Sequence, residues 1–125
     1  MYNNKAPVNL DLLSIRMPVT AVVSILHRIT GLLLFISMPF CLLFFELILS
    51  QATTATQFTY LFSLWYVRCL LFLVLWSLVH HLFAGLRFLF LDIDIGVTRN
   101  AARGSAWVIL VLDSISLLVL GGVFL

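Results

Sequence analysis

A polar face lies near the start of a long apolar run in this chain. Helical i, i+4, i+7, i+11 spacing places one polar or small side chain per turn on that face, at Thr20, Ser24, His27 and Gly31. Arg28 flanks it. A hydroxyl, an imidazole and a guanidinium together suit the carbonyl oxygens of a quinone, or a carboxylate such as a haem propionate. The alternative is a solvated helix end, because Arg can snorkel to the interface and Ser can bond to its own helix.

A second candidate is His81, which lies deep in another apolar run. Gly85 follows it at i+4 on the same helical face, which would leave room for a flat macrocycle, and imidazole is a common axial ligand of haem iron. No other histidine lies at a comparable depth on another run, so a partner subunit would supply the second ligand. A hydrogen bond to a neighbouring helix is the alternative role. His80 points about 100° away and is the poorer ligand.

The composition requires a non-aqueous solvent for part of the chain. Of the 125 residues, 63% are hydrophobic and 10% are charged, and a soluble domain of this size cannot bury so much apolar surface. The net charge of +2 comes from scattered basic residues, so no nucleic-acid-binding face is expected. Cys41 and Cys69 lack metal-ligand spacing, and we expect buried, reduced thiols.

Three apolar runs are long enough to cross a bilayer. They cover about residues 20–49, 60–91 and 105–125, and crossing hydrocarbon takes roughly 20 helical residues. Pro39 should kink the first run rather than end it, because lipid offers freed backbone groups few alternatives to a helix. The sequence predicts an all-α integral membrane protein with three transmembrane helices.

Basic residues collect at one end of the predicted spans. They occur in the N-terminal arm, at the start of the first span and around the second loop, as Lys5, Arg16, Arg28, Arg87, Arg99 and Arg103. The positive-inside rule then predicts a cytoplasmic N-terminus. We expect a cytoplasmic arm at residues 1–19, a transmembrane anchor domain at residues 20–125, and no cleavable signal peptide.

Two charges within the spans belong to neither candidate site. Counting residues inward from opposite ends of a bilayer core puts Arg68 and Asp113 at similar depths, so the sequence predicts that they pair. Glu46 is a competing partner, and Arg68 could instead snorkel outward.

Two motifs in the sequence are those of a known family. The first includes Ser24, His27, Arg28, Thr30 and Gly31, and follows residues 7–12 (PVNLDL) and 15–18 (IRMP). The second places His81, Gly85, Leu86, Arg87, Phe88 and Asp92 in order. With both motifs in this order, nearly the whole chain resembles the cytochrome b556 membrane-anchor subunits of succinate dehydrogenase, in respiratory complex II.

This resemblance implies roles for four residues. Ser24 and Arg28 would line a ubiquinone site together with His27. His27 would also contact a haem propionate, with Arg28 as a further haem-binding residue, and His81 would be an axial ligand of haem b. The partners would be a second small anchor subunit that supplies the other haem ligand, an iron–sulfur subunit and a flavoprotein subunit. Succinate oxidation would occur on the soluble subunits. Localisation would be the bacterial inner membrane, or the mitochondrial inner membrane if the protein is organellar.

The chain departs from the family pattern at two positions. Ala6 stands where a basic residue commonly precedes the proline, and Phe88 replaces a frequent histidine. Two other functions stay open from the sequence. One is a haem-free structural anchor. The other is a small transporter or channel subunit with Arg68 and Asp113 on its path, although three spans cannot form a pair of inverted repeats.

Overall fold

The computed structural model describes residues 17–50 and 54–124, and these form helices joined by short connections. The helices are α1 (Val19–Leu49), α2 (Ala55–Ser63), α3 (Trp65–Asp92) and α4 (Arg99–Phe124). No strand occurs within the described ranges. The predicted all-α class is therefore confirmed, while the predicted arm lies mostly outside the described residues.

Three of these helices are long and apolar enough to cross a membrane, namely α1, α3 and α4. Their 31, 28 and 26 residues correspond to lengths of about 46, 42 and 39 Å at 1.5 Å per residue. All three exceed the roughly 30 Å of bilayer hydrocarbon, so their ends reach beyond it or the helices tilt. The prediction of three spans is confirmed. Helix α1 continues through Pro39, as expected.

The second predicted span begins later than expected, because a separate short helix precedes it. Thr54 starts α2 with a capping box: its backbone N–H donates to Gln57 Oε1 at 2.8 Å, and Gln57 N–H donates to Thr54 Oγ1 at 3.4 Å. Leu64 then takes an extended conformation, with φ −74° and ψ 121°, which separates α2 from α3. Phe44 of α1 packs edge-on against Phe58 and Phe62, so α2 rests on the end of α1.

A tight turn reverses the chain between α3 and α4. Ile95 N–H donates to Phe90 O at 2.9 Å, and Asp94 N–H donates to Leu91 O at 3.1 Å. These two bonds form a Schellman motif, whose left-handed position is occupied by Asp94 with φ 61°. Thr98 then caps α4 by accepting from Ala101 N–H at 3.4 Å. Helices α3 and α4 therefore lie side by side and antiparallel.

The interior between the helices is small and rich in polar side chains. Helix α3 packs against both α1 and α4, and α1 also contacts α4. In the described part of the chain the buried apolar side chains are Val23, Ala84, Ala106 and Ile109, and the buried polar ones are Thr30, Ser77, His80, Arg87 and Asp113. Large apolar side chains instead cover the outside. This arrangement suits lipid, where burying leucine gains little and polar contacts hold helices together.

The expected burial of the two cysteines is wrong. Cys41 is exposed and Cys69 is half-buried. Both lie on spans whose apolar side chains face outward. A thiol behaves as a small apolar group, so it suits this outward surface as well as a protein interior.

Candidate functional site

The two motifs of the sequence meet where α1 crosses α3. The imidazole rings of His27 and His81 stack in parallel, with centroids 4.1 Å apart and planes inclined by 8°. Phe88 packs edge-on against the His27 ring, with the two ring centroids 5.2 Å apart. Residues 54 positions apart in the chain thus form one aromatic cluster.

The hydrogen bonds of His81 fix which of its ring nitrogens carries the proton. Its Nδ1 lies 3.1 Å from the backbone carbonyl oxygen of His27 and 3.5 Å from Thr30 Oγ1. A carbonyl can only accept, so Nδ1–H is the donor and Nε2 keeps its lone pair. Thr30 Oγ1 donates to the carbonyls of Leu26 and His27, at 2.9 and 3.0 Å. His81 therefore presents Nε2 as the nitrogen available to a metal.

Gly31 makes room for the His81 imidazole. A Cβ at position 31 would lie 2.9 Å from His81 Cε1, closer than real Cβ atoms come, and 3.3 Å from Nδ1, which is also tight. Gly85 was expected to leave space beside His81, but it lies against His27 instead: a Cβ there would be 3.4 Å from His27 Nε2. Each imidazole therefore packs against a glycine of the opposite helix. Of the two glycines, Gly31 is the one where an added methyl group would push the imidazole away.

The predicted site residues of α1 differ in burial. Ser24 and His27 are half-buried and Arg28 is exposed. Buried Val23 and Thr30 mark the face of α1 that contacts the bundle, and Arg28 lies about 140° from Val23 around the helix. The guanidinium thus faces out of this chain, while His27 faces into it.

The predicted pair between Arg68 and Asp113 is wrong. Asp113 Oδ2 accepts from His80 Nδ1 at 2.6 Å, and Arg68 Nε has no hydrogen-bond partner among the described residues. Arg68 precedes His80 by 12 residues, or about 18 Å along α3. The depth estimate failed because α3 and α4 are longer than the 30 Å core, so distances counted inward from opposite ends do not meet.

Counting from the shared turn between α3 and α4 would have found the partner of Asp113. His80 lies 12 residues before the end of α3, and Asp113 lies 14 residues after the start of α4. These separations are about 18 and 21 Å, so the two side chains lie at nearly the same level. The pairing also removes Asp113 from any path that it was expected to share with Arg68.

Arg87, which the sequence indicated as a motif residue and a basic residue but for which it predicted no contact, joins α3 to α4. Its Nε donates to Ser105 Oγ at 2.9 Å and its Nη2 donates to the carbonyl of Ala102 at 3.0 Å. The side chain is only 7% exposed, and its Cζ lies 5.2 Å from the centre of the Phe88 ring. Arg87 thus links the turn side of the bundle to the aromatic cluster around His27.

Two cavities open between the helices near the turn that joins α3 to α4. One, of about 350 Å³, is apolar and lies between α3 and α4 beside Phe83, Arg87 and Ile109. The other, of about 490 Å³, lies between the first turn of α1 and Arg99, Arg103 and Trp107 of α4. Neither is lined by the predicted ligand-binding residues.

Comparison with known proteins decides the family. The model described as "Succinate dehydrogenase/Fumarate reductase transmembrane subunit" matches residues 2–120. The chain belongs to this family. The resemblance inferred from the two histidine motifs is confirmed, and the chain is a multi-pass membrane subunit of the succinate dehydrogenase/fumarate reductase family.

A curated relative is similar over the full length of the chain. The succinate dehydrogenase cytochrome b556 subunit of Coxiella burnetii (strain RSA 493 / Nine Mile phase I) is 35% identical over 127 residues. The match covers 98% of both chains, so the similarity to this succinate dehydrogenase/fumarate reductase subunit includes both motifs and all three spans.

Proposed function

We propose that the chain is the cytochrome b membrane-anchor subunit of a succinate:ubiquinone oxidoreductase. In this function it binds haem b together with a second anchor subunit and forms part of the ubiquinone-reduction site. The observation that carries the proposal is the hydrogen bond from His81 Nδ1–H to the His27 carbonyl, which leaves Nε2 free on a half-buried ring.

The residues around His81 fit a haem ligand. Metal-bound histidines usually donate their second ring N–H to a carbonyl or carboxylate, which fixes the tautomer and the ring plane. His27 contributes twice, because its carbonyl accepts that proton and its ring stacks on the His81 ring at 4.1 Å. Haem b, when bound, supplies a one-electron redox centre. His80 donates Nδ1–H to Asp113 in the same way, but its ring is fully buried between α3 and α4, where a haem would have to displace a helix, so His80 is the poorer ligand.

A partner subunit must complete the haem site. The other two histidines of the chain are engaged elsewhere, because His27 stacks on His81 and His80 bonds to Asp113. His81 is only half-buried in this chain, so a partner chain can reach it. We place the second small anchor subunit, with its own axial histidine, on that side.

Ser24 and Arg28 would bind the ubiquinone head group. Reduction of a quinone adds two electrons and two protons, and its oxygens become more negative before protonation. A serine hydroxyl and a guanidinium can donate hydrogen bonds to such an oxygen, and the fixed charge of Arg28 would favour it further. Arg28 is exposed in this chain, so partner subunits would supply the remaining contacts to the quinone. We also propose that His27 and Arg28 contact haem propionates.

The electrons would come from subunits outside this chain. A flavoprotein subunit would oxidise succinate and an iron–sulfur subunit would carry the electrons to the membrane. Residues 1–19 and the turn around Arg99 would dock those subunits on the cytoplasmic side of a bacterial inner membrane. Lipid would contact the remaining apolar surface of the three long helices.

A reduced-minus-oxidised visible spectrum of the purified complex tests this function. We expect the α and β bands of a low-spin b-type haem, at one haem per copy of this chain. A complex that contains this chain and reduces ubiquinone but shows no haem bands would contradict the haem site and identify a haem-free anchor. Haem bands without any ubiquinone reductase activity would contradict the quinone site.

A further inference from the structure

The two adjacent histidines of α3 contact different helices. His81 stacks on His27 of α1, whereas His80 bonds to Asp113 of α4. Successive helical residues point about 100° apart, so any rotation of α3 moves both contacts together. The orientation of His81 is therefore coupled to the bond that His80 makes on the other side of the helix.

The bond between His80 and Asp113 is well placed to hold α3 at one rotation. The two atoms are 2.6 Å apart, and the side chains are 0% and 7% exposed. Removing either partner would leave a buried polar group unpaired, which is costly in a low-dielectric interior. A rotation of 20° would move a side chain about 5–6 Å from the helix axis by roughly 2 Å, which is enough to break this bond.

A second link between α3 and α4 lies on the same face, two turns away. Arg87 Nε and Nη2 donate to Ser105 Oγ and the carbonyl of Ala102. Between the two links, Ala84 and Ala106 are fully buried, and their small side chains let the helices approach closely. Two directional contacts at separate levels fix both the rotation and the tilt of α3 against α4.

We propose that Asp113 is a positioning residue for the haem site, acting through His80. It holds α3 at the rotation that presents His81 Nε2 to the haem iron. This inference rests on the proposed function, because it takes His81 as the axial ligand. It differs from a purely structural role: loss of the bond changes the geometry of the ligand even in a complex that assembles fully.

Four variants of the purified complex separate these two roles. Asp113→Asn keeps a hydrogen-bond acceptor, Asp113→Leu removes it, and the double variant His80→Leu with Asp113→Leu leaves no unpaired polar group. Ser114→Leu is the matched control, because Ser114 is the next residue of α4 and is exposed. The electron paramagnetic resonance spectrum of the oxidised haem reports ligand geometry, because its largest g value depends on how the axial imidazoles are oriented.

Rotation of α3 is measured without reference to the haem. Spin labels at Leu82→Cys on α3 and Val111→Cys on α4, both exposed positions, give a distance by pulsed dipolar spectroscopy. Native Cys41 and Cys69 are replaced by alanine in this background. Complexes that carry only one of the two labels give the contributions of the haem and of the iron–sulfur clusters, and these are subtracted.

We expect Asp113→Leu to shift both the largest g value and the distance between the labels, whereas Asp113→Asn and Ser114→Leu match the unsubstituted complex. The double variant should assemble in normal amounts and still show the shifted g value. A normal g value and a normal distance in either the double variant or Asp113→Leu would overturn the proposal. If the unsubstituted complex lacks low-spin haem, the proposed function fails instead, and the distance alone still tests the rotation.

Discussion

At the scale of single residues, the candidate site depends on a close contact between a glycine and an imidazole. His81 is held by its bond to the His27 carbonyl, so it cannot move freely away from position 31. A Cβ there would meet His81 Cε1 at 2.9 Å. The identity of residue 31 therefore determines where His81 lies.

We predict that Gly31→Ala displaces His81 and lowers the haem content of the purified complex. Overpacking at such a contact costs about 1–3 kcal/mol of stability. The matched control is Gly104→Ala, because a Cβ at position 104 meets no atom within 4 Å, and alanine is a better helix former. Full haem occupancy and unchanged thermal stability in Gly31→Ala would show that the contact is not tight.

We predict that Ser24→Ala and Arg28→Leu slow ubiquinone reduction while electron transfer from succinate to a soluble dye stays normal. Loss of a hydrogen bond to a charged group costs about 1.5–3 kcal/mol, which corresponds to a rate reduced roughly tenfold to a hundredfold. Ile25→Leu, at an exposed neighbouring position, serves as the control. Normal ubiquinone rates in both variants would mean that this face is only a solvated helix end.

Residue types predicted part of the site and missed part of it. Helical spacing predicted the polar face of α1, and the length of the second apolar run predicted the depth of His81. The structure brings His27 and His81 into contact. The roles of Gly31 and Gly85 were not predictable, because they depend on which faces of α1 and α3 meet. Helical spacing predicts which residues share a face of one helix, but it does not predict how the neighbouring helix is rotated against that face.

At the scale of secondary structure, the turn after α3 contains a residue in an unfavourable conformation. Asp94 occupies the left-handed position of the Schellman motif with φ 61°. Aspartate tolerates this region better than most residues, but glycine has no Cβ to oppose it. The turn sets the antiparallel contact of α3 with α4, so its stability matters for the level at which His80 meets Asp113.

We predict that Asp94→Gly stabilises the complex against thermal unfolding, by about 0.5–1 kcal/mol. Asp92→Gly is the matched control: it makes the same chemical change at the last helical residue of α3, where glycine should destabilise by up to about 1 kcal/mol. The melting temperatures of the two variants should thus change in opposite directions. A lower melting temperature for Asp94→Gly would contradict this account of the turn.

Some helix boundaries could be predicted from the sequence and others could not. Apolar length alone predicted the spans, but it merged α2 into the second one. The Thr54 and Gln57 pair has the spacing of a capping box, and it marks the start of α2. The break at Leu64 has no comparable signal, since no proline or glycine interrupts the apolar run there.

At the scale of the whole molecule, the described bundle has little apolar core and a large apolar exterior. Only Val23, Ala84, Ala106 and Ile109 are buried apolar residues in the described ranges. The two buried charged side chains of these ranges, Arg87 and Asp113, instead find polar partners on the neighbouring helix. The pairing of Asp113 could not be predicted from depths measured at opposite membrane faces, because the helices extend beyond the hydrocarbon.

We predict a cytoplasmic N-terminus, with the Arg99 turn on the same side, from the distribution of lysine and arginine. In a background with Cys41→Ala and Cys69→Ala, the exposed positions Thr56→Cys and Asn100→Cys test it. In right-side-out vesicles, a membrane-impermeant maleimide should label position 56 directly and position 100 only after permeabilisation. The reverse pattern of labelling would contradict the orientation.

The central claim is that His81 supplies an axial ligand of haem b through Nε2, and chemical rescue of a His81→Gly variant tests it most directly. The purified complex should lose its low-spin visible and electron paramagnetic resonance signals, and added imidazole should restore them by occupying the space of the missing ring. His80→Gln, which keeps a donor for Asp113, should retain low-spin haem without imidazole. Low-spin haem in His81→Gly without imidazole, or its loss in His80→Gln alone, would contradict the claim.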